Sequence, residues 1–132
     1  MIILLNNQVS KEERETAKSL MRHFRLLKKS VADYEMHELA NIDSLSRVNE
    51  QEQQYKLQLR LLQHLERAIE FIEDLDEREI IEQRFCKGFT YKQLIIRHSC
   101  MDASTVISKM NRALDVIAGR LKEWGMFEDK NV

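Results

Sequence analysis

The chain has 132 residues, of which 43% are apolar, and its formal net charge is −1. This length allows one domain, or a small domain with an extension, and the apolar fraction is sufficient for a core. Proline is absent and there are only three glycines, so long helices can run without interruption. Few segments alternate apolar and polar residues, and we therefore predict an all-α protein. Without a membrane-length apolar segment or a signal sequence, we expect a cytoplasmic location.

Charge is distributed unevenly along the chain. The net charge is +4 over residues 1–31, −9 over residues 32–83, +6 over residues 84–122 and −2 over the last ten. A basic segment beside an acidic one is consistent with phosphate binding, but charge alone does not favour this interpretation over an ordinary mixed surface.

The first predicted element is a long amphipathic helix. Ser10 and Glu13 have the spacing of a capping box, and apolar residues then recur every three or four positions, as far as Leu39 at most. The opposite face is basic and consists of Lys11, Arg14, Lys18, Arg22, Arg25, Lys28 and Lys29. This face is a solvated surface, a second DNA contact, or a docking surface for the acidic residues 66–82.

A second long helix is predicted after a break at Asn41–Ser46. Its apolar face runs from Val48 to Ile72, and the polar stretch Glu50–Gln54 predicts a frayed or late start. Two such helices indicate an antiparallel hairpin or an oligomer seam. We assign residues 1–74 to a helical region for dimerisation or partner binding.

Three shorter helices are predicted in the rest of the chain. Asp76 and Glu79 form a capping box for the first, which ends near Gly88. Thr90 and Gln93 form a capping box for the second, of about eight residues. After a turn at Ser99–Asp102, the third begins at Asp102 or Ala103 and ends before Gly125. The predicted buried residues are Ile80, Ile81, Phe85, Val106, Met110, Ala113, Leu114, Ile117 and Leu121.

The order and lengths of these helices are typical of a DNA-binding helix-turn-helix between Leu75 and Trp124. In that motif the last helix enters the major groove of duplex DNA, and its exposed residues face the bases. The candidate base-reading residues are Ser104, Thr105, Ser108, Lys109, Asn111 and Arg112. The candidate phosphate contacts are Lys87, Thr90, Tyr91, Lys92 and Arg97. Tyr91 is equally suited to support the motif as a half-buried residue. We assign residues 75–132 to the DNA-binding domain.

The segment LDEREIIEQRFCKGFTYKQLIIRHSCMDASTVISKMNRAL resembles the region 4 helix-turn-helix of bacterial sigma factors. The resemblance is carried by Leu75, Glu77-Arg78-Glu79, Phe85, Gly88-Phe89-Thr90, Tyr91, Ser104-Thr105-Val106 and Arg112-Ala113-Leu114. Two features depart from the pattern: Ile95 replaces a small residue, and the turn before the last helix is longer and lacks glycine. The chain holds no sigma region 2, which excludes a complete sigma factor.

The layout of the whole chain is similar to that of the ArpU-like phage regulators, which have a basic N-terminal helix, an acidic middle and a C-terminal sigma-like motif. This resemblance implies an activator of phage late genes that binds promoter DNA. The resemblance to sigma region 4 adds RNA polymerase as a candidate partner. A homodimer is expected because two half-sites raise specificity.

No sequence pattern for catalysis, a cofactor or a small-molecule substrate is present, so we predict a protein that is not an enzyme. The histidines and cysteines lack metal-ligand spacing, and we expect Cys86 and Cys100 to be reduced, half-buried thiols. Two alternative functions remain at this point. One is a phage DNA-packaging recognition subunit, and the other is a sigma-like adaptor that binds RNA polymerase without DNA.

Overall fold

The computed structural model describes residues 8–40 and 48–127, and no strand occurs within those ranges. Its six α-helices are Lys11–Arg22 (α1), Phe24–Ala40 (α2), Val48–Glu70 (α3), Leu75–Ile81 (α4), Tyr91–Arg97 (α5) and Ala103–Glu123 (α6). The prediction of an all-α protein is confirmed. The predicted break at Asn41–Ser46 lies outside the described residues. None of the described helices is long and apolar enough to cross a membrane.

The first helix begins at the predicted capping box. The Glu13 amide donates to Ser10 Oγ over 3.1 Å, and the Ser10 amide donates to Glu13 Oε1 over 2.9 Å. The prediction of one continuous helix is wrong, because the helix is interrupted at His23. The His23 amide bonds to the carbonyl of Leu20, three residues back, which tightens the turn between α1 and α2.

Helices α2 and α3 form an antiparallel hairpin. The rings of Tyr34 and Tyr55 stack with centroids 4.4 Å apart, and Ser30 Oγ donates to Gln58 Oε1 over 2.9 Å. The predicted late start is wrong, since α3 begins at Val48 and is already helical over Glu50–Gln54. The Tyr55 hydroxyl donates to Glu35 Oε2 over 2.7 Å, so contacts across the hairpin support this polar end.

The start of α4 differs from the sequence prediction. Its N-cap is Asp74 rather than Asp76, because the Glu77 amide donates to Asp74 Oδ1 over 3.0 Å. The helix continues as a π-helical turn over Glu82–Cys86 and ends at Gly88, whose φ of +81° favours glycine.

The capping box of Thr90 and Gln93 is confirmed, with bonds of 2.9 and 3.1 Å, and it opens the seven-residue α5. Thus α5 is close to its predicted length.

Helix α6 lies at the centre of the core. All of its predicted core residues are buried, and Ala118 is buried with them. It packs against α1, α3 and α4, which contribute Ala17, Leu65 and Ile80 to a single apolar cluster. Residues on both sides of the predicted domain boundary at residue 74 therefore share one core.

Candidate nucleic-acid interface

One side of the first half of α6 faces away from the core. Ser104, Ile107, Ser108 and Asn111 line a shallow groove there, together with Arg14, Arg112 and Asp115. Ser104, Ile107 and Ser108 are exposed and Asn111 is half-buried. The side-chain hydrogen bonds of α6 are made farther along the helix, by Asp115, Arg120 and Lys122. Four side chains of varied chemistry are therefore presented along one outward face.

The two predicted base-reading cations both approach acidic residues of α4, although Arg112 also lines the groove. The Lys109 ammonium is 3.9 Å from Asp76 Oδ2, and the Arg112 guanidinium Nε is 3.8 Å from Glu77 Oε2. The side chain of Lys109 is only 19% exposed, and Thr105, one turn earlier, is half-buried. Residues three or four apart share a helix face, which places Arg112 with Ser104 and Ser108 on the outward face. The same rule places Lys109 with Thr105 on another face, where Lys109 contacts Asp76 of α4. Arg112 is 61% exposed, and it lines the groove while its guanidinium also lies near Glu77.

The two carboxylates at the start of α4 have opposite pKa shifts. Burial raises the pKa of Glu77, with the nearby charge of Asp74 adding to it, and the charges of Arg112 and Lys109 only partly offset this. The pKa of Asp74 is lowered, first by the hydrogen bond from the Glu77 amide. The environment of Glu77 as a whole therefore disfavours its charged form, even beside Arg112.

The predicted phosphate contacts around α5 have different surroundings. Lys87, Lys92 and Arg97 are exposed. The Thr90 hydroxyl accepts the Gln93 amide as the N-cap. Tyr91 is half-buried. The side chains of Lys87, Lys92 and Arg97 are therefore available to bind an anion, whereas the Thr90 hydroxyl already caps the start of α5.

Two cations from different parts of the chain lie beside Tyr91, and we call this group the Tyr91 cluster: Lys18, Arg84 and Tyr91. The Arg84 guanidinium lies 4.6 Å from the Tyr91 ring centroid, and the Lys18 ammonium lies 5.9 Å from it. Arg25 packs on Gly88 so closely that a Cβ there would collide with its guanidinium. Arg84 also donates to the Phe89 carbonyl over 2.9 Å, while its Nε is buried without a partner among the described residues.

The charge of this cluster acts on the Tyr91 hydroxyl. Burial would raise the pKa of Tyr91, but the nearby Lys18 and Arg84 outweigh that effect and lower it. The cluster is therefore a positive environment at the start of α5, beside the predicted phosphate contacts.

A buried polar link holds α5 against the turn that follows α4. Gln83 and His98 are both buried, and His98 Nε2 lies 2.8 Å from Gln83 Oε1. Gln83 Nε2 donates onward to Glu79 Oε1 over 3.2 Å. This chain of bonds orients the end of α5, and with it the turn that leads into α6.

Sequence reasoning did not identify the contacts of Arg14 and Lys18 with the C-terminal part of the chain. The sequence pattern that pointed to these contacts was the basic face of the first helix. That pattern fits a solvated surface, a second DNA contact and a docking surface, so it did not identify the partner residues. No sequence pattern predicted the pairing of Gln83 with His98, since this contact joins residues fifteen positions apart.

The two cysteines differ in their surroundings. Both are free thiols, and Cys86 is half-buried whereas Cys100 is exposed, so the expectation of two half-buried thiols is wrong for Cys100. Burial raises the pKa of the Cys86 thiol to about 11. Cys86 is therefore a poor nucleophile at neutral pH.

Comparison with protein-family models, with curated proteins and with solved structures finds no match to this chain.

Proposed function

We propose that this protein binds double-stranded DNA through a helix-turn-helix formed by α5 and α6 and regulates transcription from the bound promoter. The observation that carries the proposal is the outward polar face of α6 at Ser104, Ser108 and Asn111. Short polar side chains near the start of an exposed helix are suited to base edges in the major groove. The second half of the same helix is anchored in the core, which gives that face a rigid support.

The surroundings of α5 support the same proposal. Its N-cap is satisfied by Thr90, and its buried Leu94 and the Gln83–His98 link hold it against the core. Lys87, Lys92 and Arg97 are exposed around it and are suited to phosphate contacts that set the register on the duplex.

Lys109 and Arg112 have a conditional role in this proposal. Their ion pairs with Asp76 and Glu77 compete with DNA, because each cation can pair with a carboxylate or with a phosphate. We infer that Lys109, whose side chain is only 19% exposed, reaches the duplex only after leaving Asp76. Arg112 already lines the groove beside Ser108, and its charge is divided between Glu77 and the DNA.

The wider biological assignment rests on the resemblance to sigma region 4 and to ArpU-like regulators. We propose late-gene control in a phage, a contact with RNA polymerase, and a homodimer that pairs two recognition helices. The hairpin of α2 and α3 is the proposed seam, because Leu26, Met36 and Leu57 are exposed on it. Light scattering of the purified protein tests the dimer, and Leu57→Lys should then produce monomers.

Selection from a random duplex library, followed by affinity measurements on the selected site, tests DNA recognition. We expect the double variant Ser108→Ala/Asn111→Ala to lose about 1–3 kcal/mol of discrimination between the selected site and unrelated DNA. The matched control is Gln53→Ala/Gln63→Ala, which removes two exposed polar side chains of α3.

The outcomes separate the candidate functions. Selection of no preferred site, with capture of RNA polymerase instead, would favour the adaptor. Ring-shaped oligomers on DNA would favour the packaging subunit. Equal loss of discrimination in both double variants would contradict the assignment of α6 as the reading helix.

A further inference from the structure

Basic residues form a row on one face of each of the helices α1 and α2. They are separated by three or four positions within α1 and by four within α2. The two rows lie along the same turn, since Lys18 lies over Tyr91 and Arg25 packs on Gly88. We call these residues the basic stripe, and its members are Lys11, Arg14, Lys18, Arg22, Arg25 and Lys29. At 1.5 Å per residue the part on α1 is about 17 Å long, which is about half of one turn of B-DNA at about 34 Å.

The stripe is held firmly against the C-terminal part of the protein. Arg14 forms two hydrogen bonds with Asp115 of α6, at 2.7 and 3.1 Å. Lys122 of α6 reaches back to Glu13 at 3.2 Å, and Ala17 and Met21 of α1 are fully buried. The position of the stripe relative to α6 is therefore set by the same core that supports the outward face of α6.

The stripe also continues directly into the candidate interface. Arg14 lines the groove in front of Ser104, Ser108 and Asn111. Lys18 belongs to the Tyr91 cluster at the start of α5, and Arg25 packs on Gly88 just before that helix. The cations of the stripe therefore border both helices of the proposed helix-turn-helix.

Most of this charge is not neutralised within the molecule. Arg14 is paired with Asp115, whereas the other members of the stripe form no ion pair within residues 8–40 and 48–127. The acidic helix α3 does not neutralise the stripe either. The cation that contacts Glu66 of α3, at 3.8 Å, is Lys28, which is not a member of the stripe. Closely spaced unpaired cations repel one another, and a polyanion that runs along them relieves that repulsion.

We propose that the basic stripe binds the phosphate backbone of the same DNA duplex whose major groove α6 reads. This inference rests on the proposed function. A duplex is favoured over an acidic protein because the stripe is a row of mostly unpaired cations that adjoins both the reading groove and the start of α5. The contact is independent of base sequence, and it extends the protein's footprint to one side of the recognised site.

The test uses three members of the stripe that are exposed and unpaired. The triple variant Lys11→Gln/Arg22→Gln/Lys29→Gln removes three positive charges without breaking a described contact. The matched control, Lys56→Gln/Arg60→Gln/Arg67→Gln, removes three exposed positive charges from α3. Affinities for a selected-site duplex and for an unrelated duplex are measured between about 50 and 200 mM salt.

For the stripe variant we expect the slope of log affinity against log salt to decrease in magnitude by about two to three. The affinity should fall about tenfold or more on both duplexes, because phosphate contacts carry no sequence information. The control variant should keep nearly the wild-type slope. Lengthening the duplex on both sides of the site should strengthen binding of the wild type and not of the stripe variant.

Two results would overturn the inference, and they can be told apart. If the stripe variant and the control variant have the same salt slope while wild type binds its site, the stripe does not contact DNA, and an acidic protein partner becomes the better candidate. If wild type binds no duplex even at low salt, the proposed function fails and the inference fails with it. Circular dichroism of each variant establishes that the comparison is between folded proteins.

Discussion

Arg14 and Asp115 are joined by two side-by-side hydrogen bonds, of 2.7 and 3.1 Å, across 101 positions of the chain. The pair ties α1 to α6. Both side chains retain about a third of their exposure, so solvent weakens the pair without removing it.

A double-mutant cycle measures the strength of this pair. We expect Arg14→Gln and Asp115→Asn each to lower the free energy of unfolding. The double variant should be only slightly less stable than either single variant. The coupling should be about 0.5–1 kcal/mol, as for partly exposed ion pairs of good geometry. Urea unfolding supplies the four free energies. The pair of Arg120 and Glu123, three residues apart on α6, is the control, with an expected coupling of about 0.2–0.5 kcal/mol. Additive effects of Arg14→Gln and Asp115→Asn would mean that the pair contributes no coupling.

Substitution of Glu77 should change how stability depends on pH. The folded protein raises the pKa of Glu77 above 4.5, so the folded state binds more protons than the unfolded state around that pH. Wild type should therefore lose stability relative to Glu77→Gln as the pH rises through the pKa of Glu77.

For Asp74→Asn the pH dependence of stability should have the opposite sign, because the folded protein lowers the pKa of Asp74. Wild type should lose stability relative to that variant as the pH falls. Unfolding free energies over an acidic pH series test both, and parallel trends for the two variants would refute the assignment.

Neutralising the acidic partners of Lys109 and Arg112 should strengthen DNA binding. The double variant Asp76→Asn/Glu77→Gln removes the competing carboxylates at 3.9 and 3.8 Å, which frees both cations for phosphate. We expect the affinity for DNA at low salt to rise about tenfold. The slope of log affinity against log salt should also increase in magnitude by about one to two. The control is Glu70→Gln/Glu73→Gln, which removes two exposed acidic charges nearby. An equal gain in the control would show a general charge effect rather than release of these two cations.

Tyr91 should be the first tyrosine to ionise in an absorbance titration. Lys18 and Arg84 lower its pKa against the effect of burial, whereas the pKa values of Tyr34 and Tyr55 are raised. Tyr91→Phe should remove the earliest step and so assign it. Lys18→Met should shift that step to higher pH, because a positive charge near the phenolate is lost. Lys11→Met serves as the control, since it removes a lysine from another turn of α1. An unchanged step in Lys18→Met would contradict the contact between Lys18 and Tyr91.

Alkylation should distinguish the two thiols. Cys100 is exposed, whereas burial raises the pKa of Cys86 to about 11. At mildly alkaline pH the thiolate fraction of Cys86 should be on the order of a hundredfold below that of an ordinary cysteine. Mass spectrometry after brief treatment with iodoacetamide should find the label on Cys100. In Cys100→Ser, labelling should become slow and should accelerate in denaturant. Rapid labelling of Cys86 in the folded variant would indicate that this thiol is not shielded.

Local sequence rules predicted much of the helical framework. The capping boxes of Ser10 with Glu13 and of Thr90 with Gln93 are present, and the glycines at 88 and 125 have positive φ. These features succeed because each depends on backbone and side-chain groups within about four residues of one another. The core positions of α6 were predictable for a related reason, since burial follows the helical period.

The errors arose where local rules allowed two solutions. Asp74 with Glu77 and Asp76 with Glu79 both have capping-box spacing, and the structure uses Asp74. Either start would leave Ile80 and Ile81 on a helix near the core, so hydrophobic periodicity did not decide between them. The interruption at His23 and the π-helical turn at Glu82–Cys86 leave no distinct pattern in residue type.

The amino-acid sequence by itself determined that this protein is helical, where most helices begin and end, and which face of the last helix is buried. The tertiary structure decided which cations remain free. It brought Lys109 and Arg112 within 3.9 and 3.8 Å of acidic partners on α4, and it placed the basic stripe beside α6 and the start of α5. The physical reason is that helix formation and burial follow contacts between near neighbours in the chain. Ion pairing depends on which distant helices meet in the folded core.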